Sequence, residues 1–297
     1  MSDRSDHLSP RIAFIGGGNM AQSLLSGLLA SGYPAARLCA TDPAEAQRAA
    51  VAALGVAALS DNALAVQDAE VVVLAVKPQV MRAVTTALLA GPGADQDGRP
   101  DAERHPEPAT ARKAPLFISI AAGVPLASIA AWTGASAIVR AMPNTPALLQ
   151  AGITGVFASP GVSDTGRALA ERILGAAGKV VWVDNESDLD AVTAVSGSGP
   201  AYFFHLMEAM IEAGEALGLT PETALELTLE TAYGAALMAR RRDATPARLR
   251  QNVTSPGGTT ERALALLDSA GVPAAVRAAV TGAAVRAREL AEEFGRS

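Results

Sequence analysis

Short apolar runs alternate with longer amphipathic stretches up to about residue 184, and beyond that point only the longer, helical period survives. Ile12–Ile15 is too short for a helix and apolar throughout, so it reads as a buried strand. Met20, Leu24, Leu25 and Leu28 then recur at helical spacing, and a helix is predicted from near Asn19 to Ser31-Gly32. Further strands are predicted at 37–41, 70–77, 116–120, 137–141, 153–158 and 180–183. Helices are predicted to open at Pro43 and at Ser60-Asp61-Asn62, and to span about 164–177. Val71–Val76 is apolar on both faces, as a parallel strand covered by helices must be. The alternation predicts an α/β domain over residues 10–184 and an all-helical domain over 185–297. In the second domain a helix over 187–217 should kink at Ser196-Gly-Ser-Gly-Pro200, where proline removes an amide. Thr220-Pro221 and Thr245-Pro246 read as two more helix starts. The stretch 91–115 is polar without a period and is expected to be a surface loop without function.

The turn between the first strand and helix carries the spacing Gly16-x-Gly18-x-x-Ala21. Gly16 permits a tight turn, Gly18 lets backbone approach a pyrophosphate, and Ala21 lets the helix pack on the sheet. The free amides at the helix start then face phosphates, the arrangement of a dinucleotide-binding fingerprint. At the end of the second strand, Asp42 is placed to hydrogen-bond the adenosine ribose hydroxyls, which favours NADH over NADPH, or to cap the helix opening at Pro43, or both. Lys77-Pro78-Gln79 and Ala121-Ala122-Gly123 follow other strands, and strand carboxyl ends are where open parallel sheets bind ligands. Met142-Pro-Asn-Thr-Pro146 follows another, as a loop stiffened by two prolines.

Composition narrows the partners. A net charge of −6 without a sustained basic run argues against a nucleic-acid surface. The single cysteine, Cys39, excludes an internal disulfide and a cysteine-rich metal site, so no metal is expected. No apolar run reaches membrane-spanning length, and the first ten residues are polar; a cytoplasmic chain with a small-molecule substrate is expected. Alanine and leucine occupy more than one face of the C-terminal helices, which predicts a homodimer through this half.

A second informative loop, Asn252-Val-Thr-Ser255-Pro-Gly257-Gly258-Thr259-Thr260-Glu261, precedes the helix carrying Leu264, Leu266 and Leu267. Hydroxyls and helix-start amides converging there suit a carboxylate, whereas an ordinary capped helix needs only one hydroxyl. Neither His7, His105 nor His205 sits in a catalytic pattern, and no metal-site or nucleophile-elbow spacing occurs. Hydride transfer tolerates this poverty, because a cofactor supplies the reactive group.

Six segments resemble the pyrroline-5-carboxylate reductase family, in family order: Phe14–Ala21, Ala75–Pro78, Ser119–Gly123, Arg140–Pro146, Ala194–Tyr202 and Val253–Thr260. The resemblance implies a Rossmann-like first domain and an all-helical second domain that forms the dimer, which the family often builds into larger rings. It implies that Ile15, Gly16, Gly17, Gly18, Asn19 and Met20 line the NADH or NADPH site, with Asp42, Asn62, Ala75, Val76, Lys77, Pro78, Ile120, Ala121 and Ala122, and that Asn252 reaches the cofactor. Ser255, Gly257, Gly258, Thr259 and Thr260 would hold the substrate, with Thr260 near the imine nitrogen as the candidate catalytic residue and Glu186 as a lesser contact. The implied reaction is reduction of the cyclic imine to L-proline. The length of 91–115 and the acidic Asp42 depart from the family's usual pattern. A β-hydroxyacid dehydrogenase would need a lysine on the first helix of the second domain, and 187–217 contains none. A dinucleotide-binding redox sensor would not need the loop at Ser255–Thr260.

Overall fold

The computed structural model describes residues 9–89 and 114–296. Its polypeptide divides into two compact units, one of residues up to Gly197 together with Ala284–Ser297, the other Ser198–Ala283. The histidines at 7 and 105, and all but the last two residues of the 91–115 stretch, lie outside the described residues.

In the first unit β1 (Ile12–Ile15) leads into α1 (Asn19–Ala30), β2 (Leu38–Thr41), α2 (Glu45–Ala53), β3 (Ala57–Leu59) and α3 (Asn62–Val66). There follow β4 (Val71–Leu74), α4 (Pro78–Leu89), β5 (Leu116–Ser119), α5 (Leu126–Thr133), β6 (Ile138–Met142), β7 (Gly152–Ala158), α6 (Asp164–Gly175) and β8 (Gly178–Trp182). The strands form one sheet in the order β3-β2-β1-β4-β5-β6-β7-β8, parallel except where β7 runs against β6. Because β2 lies on one side of β1 and β4 on the other, the chain reverses its winding at β1, and the crevice beyond the carboxyl ends of β1 and β4 is where such a sheet takes a ligand.

Alternation along the strands fills two cores. Ile12 and Phe14 face α1 and α6 with Leu24, Leu25, Leu28, Ile173 and Leu174; Ala13 and Ile15 face the other side with Met81, Val124 and Ile129. Several predicted boundaries shift. β4 stops at Leu74, and the residues 75–77 that the apolar run added to it form the turn into α4. The second helix opens at Glu45, not at Pro43, with Ala44 as its N-cap.

Tyr33, which follows α1, is 2% exposed; its hydroxyl donates to the Pro10 carbonyl, and the Arg172 guanidinium lies 4.9 Å from its ring centroid. Burial pushes its pKa up to about 12 from 10.0, against the opposing charge of Arg172. The protonated ring therefore contributes stability that is intact below pH 10 and is lost as pH rises through about 12. The phenolate absorbance of wild type minus that of Tyr33→Phe is expected to rise with a midpoint near 12; a midpoint near 10 would mean that water reaches the ring.

After β8 come α7 (Asp188–Val192), a π-turn at Thr193–Gly197 and α8 (Gly199–Ala216), so the helix read over 187–217 is interrupted just before Pro200, overlapping the predicted kink. The second unit continues with α9 (Pro221–Arg240), α10 (Pro246–Asn252), α11 (Thr259–Ser269) and the first part of α12 (Val272–Arg296). Thr220 and Thr245 cap α9 and α10 as read, accepting from the amides of Thr223 and Arg248. This unit has almost no core of its own: Gly199, Ala224 and Thr228 are its buried residues, while Phe203, Phe204 and Leu217 are 65%, 58% and 87% exposed.

Candidate active site

The turn from β1 to α1 passes beside the start of the turn after β4, where the Ala75 amide donates to the Ile15 carbonyl. Gly16 has φ +104°, and a Cβ there would lie 2.6 Å from the Ala75 oxygen, so only glycine fits. Gly18 is the opposite case. A Cβ on it would meet nothing within 4 Å, and it caps α1 with no side chain on the helix amides. The cradle is thus closed beneath Gly16 and open above Gly18, with unpaired helix-start donors aimed at the opening, which fits a pyrophosphate. Asp61, Ser163, Thr220 and Thr245, by contrast, cap α3, α6, α9 and α10 with their side chains.

Asp42 lies directly past β2. Its Oδ2 accepts from the Gly17 amide at 3.0 Å and its Oδ1 from the Ala44 amide at 2.9 Å, so the carboxylate ties the glycine turn to the chain entering α2. Asn62 Oδ1 accepts from the Thr41 hydroxyl at 2.6 Å, which brings the start of α3 to the same sheet end. Asn19 and Met20 open α1. Ala75, Val76, Lys77 and Pro78 follow β4, with Lys77 exposed, and Ile120, Ala121 and Ala122 follow β5. The structure therefore brings the first-unit residues that the sequence resemblance implied for the cofactor to the carboxyl ends of β1, β2, β4 and β5. Asn252 ends α10 in the other unit.

Two further clusters in this unit, around Glu186 and Asn144, carry more than the sequence suggested. Glu186 Oε1 accepts from Arg140 at 2.7 Å and from the Leu126 amide at 2.8 Å, joining β6, the start of α5 and the approach to α7. The Arg140 side chain is 8% exposed and that of Glu186 31%, so Glu186 balances a buried cation. Nearby, burial raises the Asp190 carboxyl above its ordinary value; Arg140 and Arg288 oppose that shift, and Glu186 adds to it. Asn144, read only as part of a stiff loop, accepts from the Ile153 amide at 2.9 Å and donates to the Ser196 carbonyl at 3.1 Å. Its bonding partners lie 9 and 52 residues away, too distant for any local pattern to show them.

In the second unit, α11 is capped by Gly258 without a side-chain bond, so its first-turn amides are again left for a ligand. Gly257, just before them, donates to the Glu261 carboxylate at 2.7 Å, and Gly258 donates to the Ser255 carbonyl at 3.0 Å. The loop amide at Gly257 thus already accommodates a carboxylate, its own. His205 is exposed, with Nδ1 3.4 Å from Glu208. Cys39 is a free thiol whose pKa is raised by burial, and the described residues hold no cluster of metal-ligating side chains.

A mostly parallel sheet with a glycine turn at its winding reversal, followed by a helical unit with an exposed apolar surface, defines a nicotinamide-dinucleotide oxidoreductase. Residues 11–96 match the family model for NADP oxidoreductase, coenzyme F420-dependent, and residues 186–290 match that for pyrroline-5-carboxylate reductase dimerisation. The chain is 50% identical to a pyrroline-5-carboxylate reductase of Pseudomonas aeruginosa over 97% of its own length and 99% of the relative's. It belongs to the pyrroline-5-carboxylate reductase family. Among solved structures, that of a pyrroline-5-carboxylate reductase from Coxiella burnetii is 42% identical, with a TM-score of 0.84 over 95% of this chain and 98% of that one. A Plasmodium falciparum pyrroline carboxylate reductase solved with NADP bound is 25% identical, with a TM-score of 0.77 over 95% and 98% of the two chains. The protein is thus an NAD(P)H-dependent oxidoreductase that reduces 1-pyrroline-5-carboxylate to L-proline.

Proposed function

We propose that two glycine-capped helix starts divide the binding between them: α1, behind Gly16–Gly18, takes the dinucleotide phosphates, and α11, behind Ser255–Gly258, takes the substrate carboxylate. The observation that carries this reading is that α1 and α11 each open on a glycine N-cap in extended backbone, which leaves the first-turn amides clear of any capping side chain. Asn19 and Met20 offer amides to the pyrophosphate, and Asp42 the ribose contact. Ala75–Pro78 and Ile120–Ala122 supply backbone and small side chains against the flat parts of the cofactor, with Asn62 and Asn252 as further contacts. When bound, the reduced nicotinamide supplies the hydride that C5 of the imine accepts.

What the chain itself must do is hold the substrate and manage one proton. Ser255, Gly257, Gly258, Thr259 and Thr260 grip the carboxylate, which orients the ring and leaves its C=N bond toward the hydride donor. Thr260 hydrogen-bonds the imine nitrogen. An imine accepts hydride far better when protonated, so the substrate enters protonated or takes a proton from water, and the product amine keeps it. Glu186 acts with Arg140 to hold the sheet end in shape, and any contact it makes to substrate is secondary.

The residues from 185 onward form a homodimer through the exposed apolar faces of α8 and α9, whose Phe203, Phe204, Leu227 and Tyr233 need a cover. No single helix among the described residues is long and apolar enough to cross a membrane. The reading is of a cytoplasmic enzyme whose dimers are open to assembly in a ring.

The experiment is the loss of reduced-nicotinamide absorbance when 1-pyrroline-5-carboxylate is added to purified protein with NADH or with NADPH, with L-proline identified as the product. No oxidation with either cofactor would refute it. Thr260→Ala is expected to lower kcat/KM about tenfold, the loss of one hydrogen bond of ~1.4 kcal/mol, with Thr260→Ser retaining most of it. Unchanged kinetics in Thr260→Ala would remove that residue from the mechanism.

A further inference from the structure

The acidic end of β2 favours a ribose with free hydroxyls, yet an arginine is built into the same turn. Arg48, in the first turns of α2, donates through Nη1 to the Asp42 carbonyl at 2.8 Å and to the Pro43 carbonyl at 2.7 Å. Those two bonds use one nitrogen of a planar fork and fix its direction. No carboxylate among the described residues forms an ion pair with it, and the Asp42 carboxylate accepts instead from the amides of Gly17 and Ala44. The half-buried guanidinium therefore keeps its remaining donors at the point where a dinucleotide fold places the 2′ position of the adenosine ribose.

A guanidinium held in this way matches a phosphate group in both charge and geometry. We propose that Arg48 recognises the 2′-phosphate of NADPH and that the chain is thereby equipped for both nicotinamide cofactors. Asp42 serves the ribose hydroxyls of NADH, and Arg48 offsets the repulsion that the same carboxylate exerts on an added phosphate. The inference rests on the dinucleotide reading of the glycine turn. It goes beyond that reading by naming the residue that admits the phosphate.

Binding, not turnover, is the direct test. Dissociation constants are measured for NADH, NADPH, AMP and adenosine 2′,5′-bisphosphate on wild type, Arg48→Gln and Arg48→Lys. Arg48→Gln is expected to weaken NADPH and the bisphosphate about tenfold while NADH and AMP change less than twofold. Arg48→Lys, which keeps the charge and loses the fork, should fall between. Equal losses for all four ligands would overturn the proposal, because Arg48 would then serve the turn and not the phosphate. No change for any of them would overturn it as well. If the wild-type chain binds NADH and NADPH, either result leaves the dinucleotide reading standing; if it binds neither, both fall.

Discussion

Gly18→Val is expected to weaken binding of NADH and NADPH at least a hundredfold while leaving the melting temperature where it was. Gly18 has φ −70° and ψ 179°, extended backbone that any residue adopts, and an added Cβ finds no neighbour within 4 Å. The fold has no use for a glycine there. The ligand does, because the branched side chain would stand over the α1 amides and hold the pyrophosphate out of hydrogen-bond range. Gly16→Ala is the control with the opposite cause. Its Cβ would lie 2.6 Å from the Ala75 oxygen and 2.8 Å from the carbonyl carbon, and its φ of +104° is one that side chains avoid. Backbone strain of ~1–2 kcal/mol and overpacking of ~1–3 kcal/mol add to about 2–5 kcal/mol of lost stability. Calorimetry and a cofactor titration on the two variants separate the effects. A Gly18→Val protein that binds NADH like wild type would show that the cofactor does not cross this turn.

Much of this site was legible because its signal is local. The Gly16–Gly18 spacing, the buried strand before it and the helical period after it lie within twenty residues, and each physical demand acts on its own neighbours. β4 was readable because a strand covered on both faces is apolar at every position, and β5 and β6 because each is apolar but for one polar residue, Ser119 and Arg140. β3 was not. Ala57-Ala58-Leu59 is three residues long with no β-branched side chain, and it exists by pairing with Cys39–Thr41. Asp42 was legible as a residue of interest, read for the ribose, for a helix cap or for both; its bond to the Gly17 amide is a further role that no local pattern shows, because that partner is 25 residues away. The same distance problem hides Glu186 and Arg140, whose pairing spans 46 residues. Arg48 carries no local signal in the sequence; its two carbonyl partners distinguish it. For the helical unit, alanine and leucine on several faces pointed to a covered surface, and the near absence of buried residues in Ser198–Ala283 is the structural counterpart of that pattern.

Asn144→Ala is expected to destabilise the protein by about 2–6 kcal/mol, a large effect for one polar side chain in a loop. The reason starts with Pro200. In an unbroken helix the carbonyl of Ser196 would accept from the amide four residues on, and that residue is proline, which has none. The chain breaks at Ser198, and Asn144 supplies the missing donor through Nδ2 at 3.1 Å. The other end of the same amide accepts from Ile153 at the start of β7, and Asn144 is only 9% exposed. Ile153 needs an acceptor and Ser196 a donor, so the orientation of the amide is settled by its partners. Truncation leaves one donor and one acceptor in a poorly solvated place, each costing about 1–3 kcal/mol when unmade. Asn144→Asp keeps the acceptor for Ile153 but turns a carboxylate oxygen toward the Ser196 carbonyl, and should do no better than alanine. Pro200→Ala offers the decisive comparison, because it returns a backbone amide at the position where the helix lacks one. In the Asn144→Ala background it should recover about 1 kcal/mol, since Ser196 regains a donor, and in wild type it should gain nothing, since Asn144 already fills the place. Denaturant unfolding of the four proteins measures the difference, and strict additivity of the two substitutions would show that Asn144 holds the turn for some reason other than the missing amide.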